Sequence, residues 1–375
     1  MINKQIPKDM PLRKVIVSGG GTGGHIFPAV AIANALKEKY PSIDILFVGA
    51  IGRMEMEKVP AAGYKIEGLN ISGIQRKLTL KNLLVPFKII ASTIKANKIL
   101  KNFKPDIVIG TGGFASGPML RAAAKKGIPT VIQEQNSFPG LTNKILAKRV
   151  NKICVAFDGL EKYFPKEKIV LTGNPVRSEV VKLEGKKPRA AEFFGLIESK
   201  NTILIVGGSL GARTINHAVK KFAKDWNAKN YQVVWQTGKP FFEEAKKYVE
   251  ENKLENVRVF DFITKMDLAY AMADVVISRA GAIAISELCL VQKPVILIPS
   301  PNVAEDHQTK NAMALVNHNA AVLVKDMDAI DQLGNCMDEI ITDKNRIELL
   351  RTNIAKLGLT NATNAIVGVV EGLVK

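Results

Sequence analysis

Two stretches decide the fold: Val15–His25, VIVSGGGTGGH, and Ile203–Arg213, ILIVGGSLGAR. Each is a short, wholly apolar run that breaks into glycines and then enters a helix. An apolar run with no polar alternation reads as a strand buried on both faces, and a strand leading through bare backbone into a helix opens a doubly wound sheet. Outward from the first stretch, DILFVGA, PDIVIGTGG, IPTVIQEQ and KICVAF repeat the strand signature, with the amphipathic AVAIANALKEKY and LTNKILAKRV between them. Outward from the second, YQVVWQTG, VRVFDF, DVVISRAG and PVILIPSP do the same. Strands alternating with helices imply parallel sheets covered on both sides, the α/β class. The halves echo one another, so two doubly wound domains are expected, 1–178 and 179–358, facing across a cleft. The charged stretch Lys182–Lys200 is expected to contain the connection.

Length and composition agree with this. A chain of 375 residues, 47% hydrophobic and 23% charged, is long enough for two cores and ordinary for a globular protein. Cys154, Cys289 and Cys336 lie far apart without metal-ligand spacing, which points to a reducing cytoplasm. The first residues lack the apolar core of a signal peptide, and no uncharged run approaches the roughly 20 residues that span a bilayer. A soluble or peripheral protein is expected.

The formal charge of +18 is unevenly spread. Residues 1–177 hold 28 Lys and Arg against 11 Asp and Glu, whereas 178–375 hold 25 against 24. The first half is therefore expected to meet something anionic, nucleic acid or a phospholipid surface. Residues 71–104, ISGIQRKLTLKNLLVPFKIIASTIKANKILKNFK, carry Arg76 and seven lysines without an acid, interleaved with Leu80, Leu83, Leu84, Phe87, Ile90 and Ile94. An apolar face ringed by bases suits anionic lipid, with Lys77, Leu80, Lys81, Leu84, Phe87 and Lys88 as contact candidates. The competing reading is an amphipathic helix that buries its apolar side in the domain. No nucleic-acid partner is expected, since neither a binding motif nor stacking aromatics accompany the charge.

Glycine-rich turns between strand and helix present bare N–H groups and a positive helix end, which hold anions. Neither stretch is a P-loop, for no Gly-Lys-Ser/Thr follows. The first fits a dinucleotide fingerprint only loosely, and DILFVGA ends without the acid that would hold a ribose. Gly207–Arg213 is the better diphosphate cradle, with Ser209 donating its hydroxyl; tight packing without a ligand competes for both loops. In SRAGAIAISE, Glu287 stands about two turns into a helix, where it takes a ribose diol or is simply solvated. In DHQTKNA, Gln308 and Asn311 reach a sugar or cap a helix. KDMD (Lys325–Asp328) contains an Asp-x-Asp, but Asp328 reads as a helix N-cap and no catalytic metal is expected. His25, a side chain type that titrates near neutrality, is a general base or a loop histidine bonded to backbone.

Taken jointly and in order, GGGTGGHIFPA, TGGFASGP, QEQNSFPGLTNKILA, TGNPVR, GGSLGAR, WQTGK, DFITKMDLAYAMADVVISRAGAIAISE and EDHQTKNA span nearly the whole chain. They resemble the MurG family of peptidoglycan glycosyltransferases. The resemblance implies a GT-B fold and inverting transfer of GlcNAc from UDP-GlcNAc to the 4-hydroxyl of a lipid-linked muramoyl-pentapeptide. It also implies peripheral attachment to the cytoplasmic face of the cell membrane, a role in cell-wall synthesis, and no cofactor. NATNAIVGVVEGLV, within 359–375, corresponds to a family helix that crosses back onto the first domain. By position, Thr22, Gly23 and Gly24 line the donor site, His25 stands at the reacting centre, and Glu134 is a second carboxylate that orients or assists. Asn136 contacts the donor sugar, Arg177 and Ser209 the diphosphate side, and Ile263 presents backbone to uracil. Gly281, Ala282, Ile283, Ala284, Ile285, Ser286 and Glu287 wrap phosphates and ribose, Gln308 takes the sugar hydroxyls, and Arg279 neighbours a phosphate. Gln133 and Phe114 depart from the family, which often has His and Tyr there. Two alternatives stay open: a membrane-associated GT-B enzyme with another lipid acceptor, and a non-catalytic nucleotide-sugar-binding protein.

Overall fold

The computed structural model describes residues 12–71, 85–208 and 210–374, with only the backbone described at Val85, Pro86, Ser178 and Ala304. The chain forms two compact units, one running to Pro175 and resuming at Asn361, the other Val176–Thr360.

The first unit is built on a parallel sheet of β1 (Lys14–Gly19), β2 (Asp44–Ala50), β3 (Lys65–Leu69), β4 (Ile107–Gly112), β5 (Thr130–Glu134), β6 (Lys152–Val155) and β7 (Ile169–Leu171), in the order β3-β2-β1-β4-β5-β6-β7. Successive side chains leave a strand on opposite faces. In β1, Val15 and Val17 accordingly join Ile26, Ile32 and Leu36 of helix Gly23–Lys39 in one core. Ile16 joins Ile99, Leu100 and Met119, from helices Val85–Phe103 and Ser116–Lys125, in the other. This two-sided burial is why the strand reads as one unbroken apolar run. Helix Ala362–Leu373 adds Ile366, Val367 and Val370 to the first core.

The second unit repeats the plan with β8 (Thr202–Val206), β9 (Gln232–Gln236), β10 (Val257–Phe260), β11 (Val275–Ser278), β12 (Val295–Leu297) and β13 (Val322–Leu323), ordered β10-β9-β8-β11-β12-β13. Ile203, Ile205, Trp235 and Ile277 pack with Ile215, Val219, Trp226 and Leu333 from helices Arg213–Ala228 and Ala329–Thr342.

Three strands escape the sequence pattern: β3, β7 and β13. All three are sheet edges with at least two residues that are not buried; β3 is interrupted by Lys65 and Glu67, and β7 and β13 are apolar but only three and two residues long, too short to read as strands. The stretch Lys182–Lys200, expected to contain the connection, lies inside the second unit. It contains helix Lys187–Phe194, which sends Ala190 and Phe194 into the interior, and Lys186 pairs with Asp267 at 2.7 Å. Among the described residues no helix is long and apolar enough to cross a membrane.

Candidate active site

In a doubly wound sheet the strand order reverses at one point, and the loops leaving the two strands there diverge to form a crevice. In the first unit that point lies between β1 and β4, so the loops beginning at Gly19 and Gly112 are brought together. The ladder skips a residue there: Ser18 pairs with Gly110 but Gly19 with Gly112. The bulged residue, Thr111, turns its hydroxyl to donate to the carbonyl of His25 at 2.9 Å. Thr22 is extended and precedes helix Gly23–Lys39, which places His25 in the first turn.

The His25 ring is fixed by its own loop. Nδ1 lies 2.9 Å from the carbonyl oxygen of Gly20, with Thr22 Oγ1 at 3.4 Å. A carbonyl only accepts, so Nδ1 carries the proton, and in the neutral ring Nε2 carries the lone pair. The ring lies against Gly112, where a Cβ would stand 2.8 Å from His25 Cδ2. A carboxylate that the sequence reading passed over closes the loop from below. Glu55, fully buried, accepts from Gly21 N at 2.8 Å and Ala50 N at 2.9 Å. The second strand does have an acid near its end, therefore, but backbone of this loop occupies it.

Glu134 ends β5 at 2% exposure. Its Oε1 accepts from the backbone and side-chain amides of Asn136 at 3.0 and 3.2 Å, its Oε2 from Gly140 N at 3.1 Å and Asn143 Nδ2 at 2.8 Å. With both oxygens engaged, Glu134 clamps the Asn136–Gly140 loop from within. Gln133 is buried in a network beside it, donating to Asn174 Oδ1 at 2.9 Å and accepting from Gln135 Nε2. Gln135 also donates to the carbonyl of Thr111 at 2.8 Å, which links the β4 and β5 loops.

In the second unit the reversal lies between β8 and β11. Each strand leads through glycine to a helix N-terminus, at Arg213 and at Ala282, the arrangement that favours an anion. Gln236 ties the first of these loops down, its amide nitrogen donating to Gly208 O at 3.0 Å and its oxygen accepting from Ile263 N at 2.9 Å. Asp326 ties the loops to one another, accepting from Arg279 Nη1 at 2.5 Å and from Thr214 Oγ1 at 2.9 Å. Arg279, which also donates to the carbonyls of Ile298 and Pro299, is thus a charge already matched rather than one held out for phosphate. The first acid of the Asp-x-Asp is therefore the partner of Arg279. Asp328 does occupy the N-cap of helix Ala329–Thr342 but makes no capping bond with its side chain.

Glu287 is 8% exposed, not a solvated helix residue. Tyr270 Oη donates to its Oε2 at 3.2 Å, and Arg177 Nη2 lies 3.8 Å from Oε1. Burial pushes its pKa above the ordinary carboxylate value, with Arg177 and Tyr270 opposing the rise. Gln308 is held at its oxygen by Ser300 N at 2.9 Å, and Asn311 donates to the carbonyl of Ala280 at 3.3 Å.

Several expected contacts change character. Ile263 and Ile285 are core residues at 3% and 1% exposure, and their backbone N–H groups are already taken, by Gln236 Oε1 and by the carbonyl of Gly281. Gly281 precedes the helix, Ala282, Ile283 and Ala284 form its first turn, and Ser286 bonds back to Ala282 O at 3.0 Å. Ser209, Lys77, Leu80, Lys81 and Leu84 lie outside the described residues. On helix Val85–Phe103 the apolar side is not wholly buried, since Phe87, Ile90 and Ile94 are 70%, 59% and 66% exposed.

Comparison with known proteins agrees with both halves. The glycosyltransferase family 28 N-terminal domain matches residues 15–155, and the family's C-terminal domain matches residues 202–366. A Flavobacterium psychrophilum protein is 54% identical over 96% of this chain and 98% of its own length, and one from Phocaeicola vulgatus is 56% identical over 94% of each. Both bear the name UDP-N-acetylglucosamine–N-acetylmuramyl-(pentapeptide) pyrophosphoryl-undecaprenol N-acetylglucosamine transferase. The crystal structure of MurG from Acinetobacter baumannii superposes with a TM-score of 0.78 at 28% identity, covering 96% of this chain and 99% of that one. With two doubly wound domains of the GT-B class and both family domains present, the chain belongs to glycosyltransferase family 28.

Proposed function

We propose that the chain transfers N-acetylglucosamine from UDP-N-acetylglucosamine to the 4-hydroxyl of an undecaprenyl-diphosphate-linked N-acetylmuramoyl-pentapeptide, inverting the anomeric carbon. The observation that carries this reading is the likeness, over the whole length, to relatives named for that transfer. His25 supplies the base. Its Nδ1 keeps its proton on Gly20 O, and Nε2 takes the proton of the acceptor hydroxyl as that oxygen bonds the anomeric carbon. The bond to the β-phosphate oxygen breaks with its electron pair leaving on UDP. The helix N-termini at Arg213 and Ala282, with Arg177, favour that departing charge without a metal or cofactor.

The reading places the enzyme on the cytoplasmic surface of the cell membrane, held to anionic phospholipid. Exposed Phe87, Ile90 and Ile94 and the positive charge of the first 177 residues support this.

The test is transfer of labelled GlcNAc to a short-chain muramoyl-pentapeptide diphospholipid analogue, with EDTA present. Full transfer is expected, and His25→Ala should retain UDP-GlcNAc binding while kcat falls about 10²–10⁴-fold. Preference for a different lipid acceptor, strict dependence on Mg²⁺ or Mn²⁺, or undiminished turnover in His25→Ala would each sink the part it addresses.

A further inference from the structure

The peptide unit joining Gly20 to Gly21 is held from both sides. Its N–H, on Gly21, donates to Glu55 Oε2 at 2.8 Å, and its carbonyl, on Gly20, accepts from His25 Nδ1 at 2.9 Å. Glu55 is itself immobilised, for it is fully buried and its other oxygen takes Ala50 N at 2.9 Å. A charge-assisted bond at one end of an amide polarises it and makes the carbonyl at the other end a stronger acceptor.

We infer that Glu55 is a positioning residue for His25, acting through the Gly20–Gly21 peptide: it holds the imidazole in the Nδ1–H tautomer and in one orientation, so that Nε2 is the basic nitrogen. The inference rests on reading His25 as the base. In catalytic triads a carboxylate bonded directly to the imidazole sets its tautomer. Here a peptide stands between the two groups, which keeps a full negative charge away from a site that receives diphosphates.

The glycines of the loop fit this device. A Cβ on Gly20 would lie 2.1 Å from Glu55 Oε1, and one on Gly113 would lie 2.3 Å from Gly20 O. These bare positions make room for the carboxylate and for the carbonyl that His25 reaches.

The test uses the full-length protein labelled with ¹⁵N-histidine. The chain has four histidines, and His25→Gln identifies the signal by its loss. Long-range ¹H–¹⁵N spectra of the wild type should show His25 protonated at Nδ1. A wild-type ring protonated at Nε2 overturns the inference outright. Glu55→Gln removes the charge in either orientation and turns an amide nitrogen on one of the two N–H donors, so Gly21 N–H faces a neutral acceptor or none. That variant should populate the Nε2–H tautomer and lose about ten- to hundredfold in kcat, with KM for both substrates within about twofold. Glu55→Asp, which keeps the charge but falls one methylene short, should lie between the two and serves if the glutamine variant does not fold. A raised KM with an unchanged tautomer would mean that Glu55 only packs the loop. A tautomer that responds in a protein whose wild type transfers no sugar would leave the relay standing and remove the reading of His25 as base.

Discussion

Glu287 illustrates how burial ties one residue's contribution to stability to pH. Burial raises its pKa above the ordinary 4.5, and Arg177 and Tyr270 only partly oppose this. A carboxylate whose folded pKa is raised binds its proton more tightly in the native state, so stability is lost as pH climbs from the unfolded value through the folded one. Glu287→Gln is therefore expected to stabilise the second unit at pH 7, with the gain vanishing below about pH 4.5, while UDP-GlcNAc binding weakens. The chain's two tryptophans, Trp226 and Trp235, both lie in the second unit's core, so their fluorescence follows that unit's unfolding. A variant less stable than wild type at pH 7, or a difference that persists at pH 3, refutes the argument. At this scale the sequence leaves the surroundings of a side chain unwritten. Arg279, Glu134 and Glu287 each change meaning once their partners are known, because a charge facing water and the same charge facing a buried partner look alike in a string of letters.

Among the elements, helix Val85–Phe103 is the one whose two sides disagree with a purely internal role. Ser92, Ala96, Ile99 and Leu100 are buried, whereas Phe87, Ile90 and Ile94 face outward beside Lys95 and Lys98. Burying one such side chain in an apolar phase is worth roughly 1.5–3 kcal/mol. Phe87→Ser with Ile90→Ser should thus weaken binding to vesicles containing anionic lipid by about tenfold or more, while stability changes by less than about 0.5 kcal/mol per site. Cosedimentation and urea unfolding measure the two effects. Unchanged vesicle binding would exclude this face from the interface. The helical period of the stretch was plain from the sequence. Which stripe turns inward was not, because both stripes are apolar and only the packing partner distinguishes them.

Across the whole molecule, the chain's last helix serves its first unit. Ile366, Val367 and Val370 enter the core formed by Val15, Val17 and helix Gly23–Lys39, and Glu371 takes Tyr40 Oη and Lys39 Nζ. Those contacts lower the pKa of Glu371 and push Tyr40 up to about 12. Ile366→Ala is expected to destabilise the first unit by about 2–5 kcal/mol, the range for a fully buried aliphatic truncation. Circular dichroism should record the earlier transition while tryptophan fluorescence, confined to the second unit, stays put. Equal shifts in both signals would show that the units unfold as one.

By itself the sequence determined the two doubly wound units, the central strands and the glycine-rich turns at their ends. Those are local matters: a run apolar on both faces, a glycine turn and a helix start are written within a dozen residues. Only the tertiary structure decided what the side chains at those ends do. The deciding bonds join residues far apart, 34 positions for Gly21 and Glu55, 28 for Gly208 and Gln236, and 47 for Arg279 and Asp326. A carboxylate becomes a clamp, a relay or a binding group according to the donors that reach it after water has been excluded, and folding alone brings those donors within hydrogen-bonding distance.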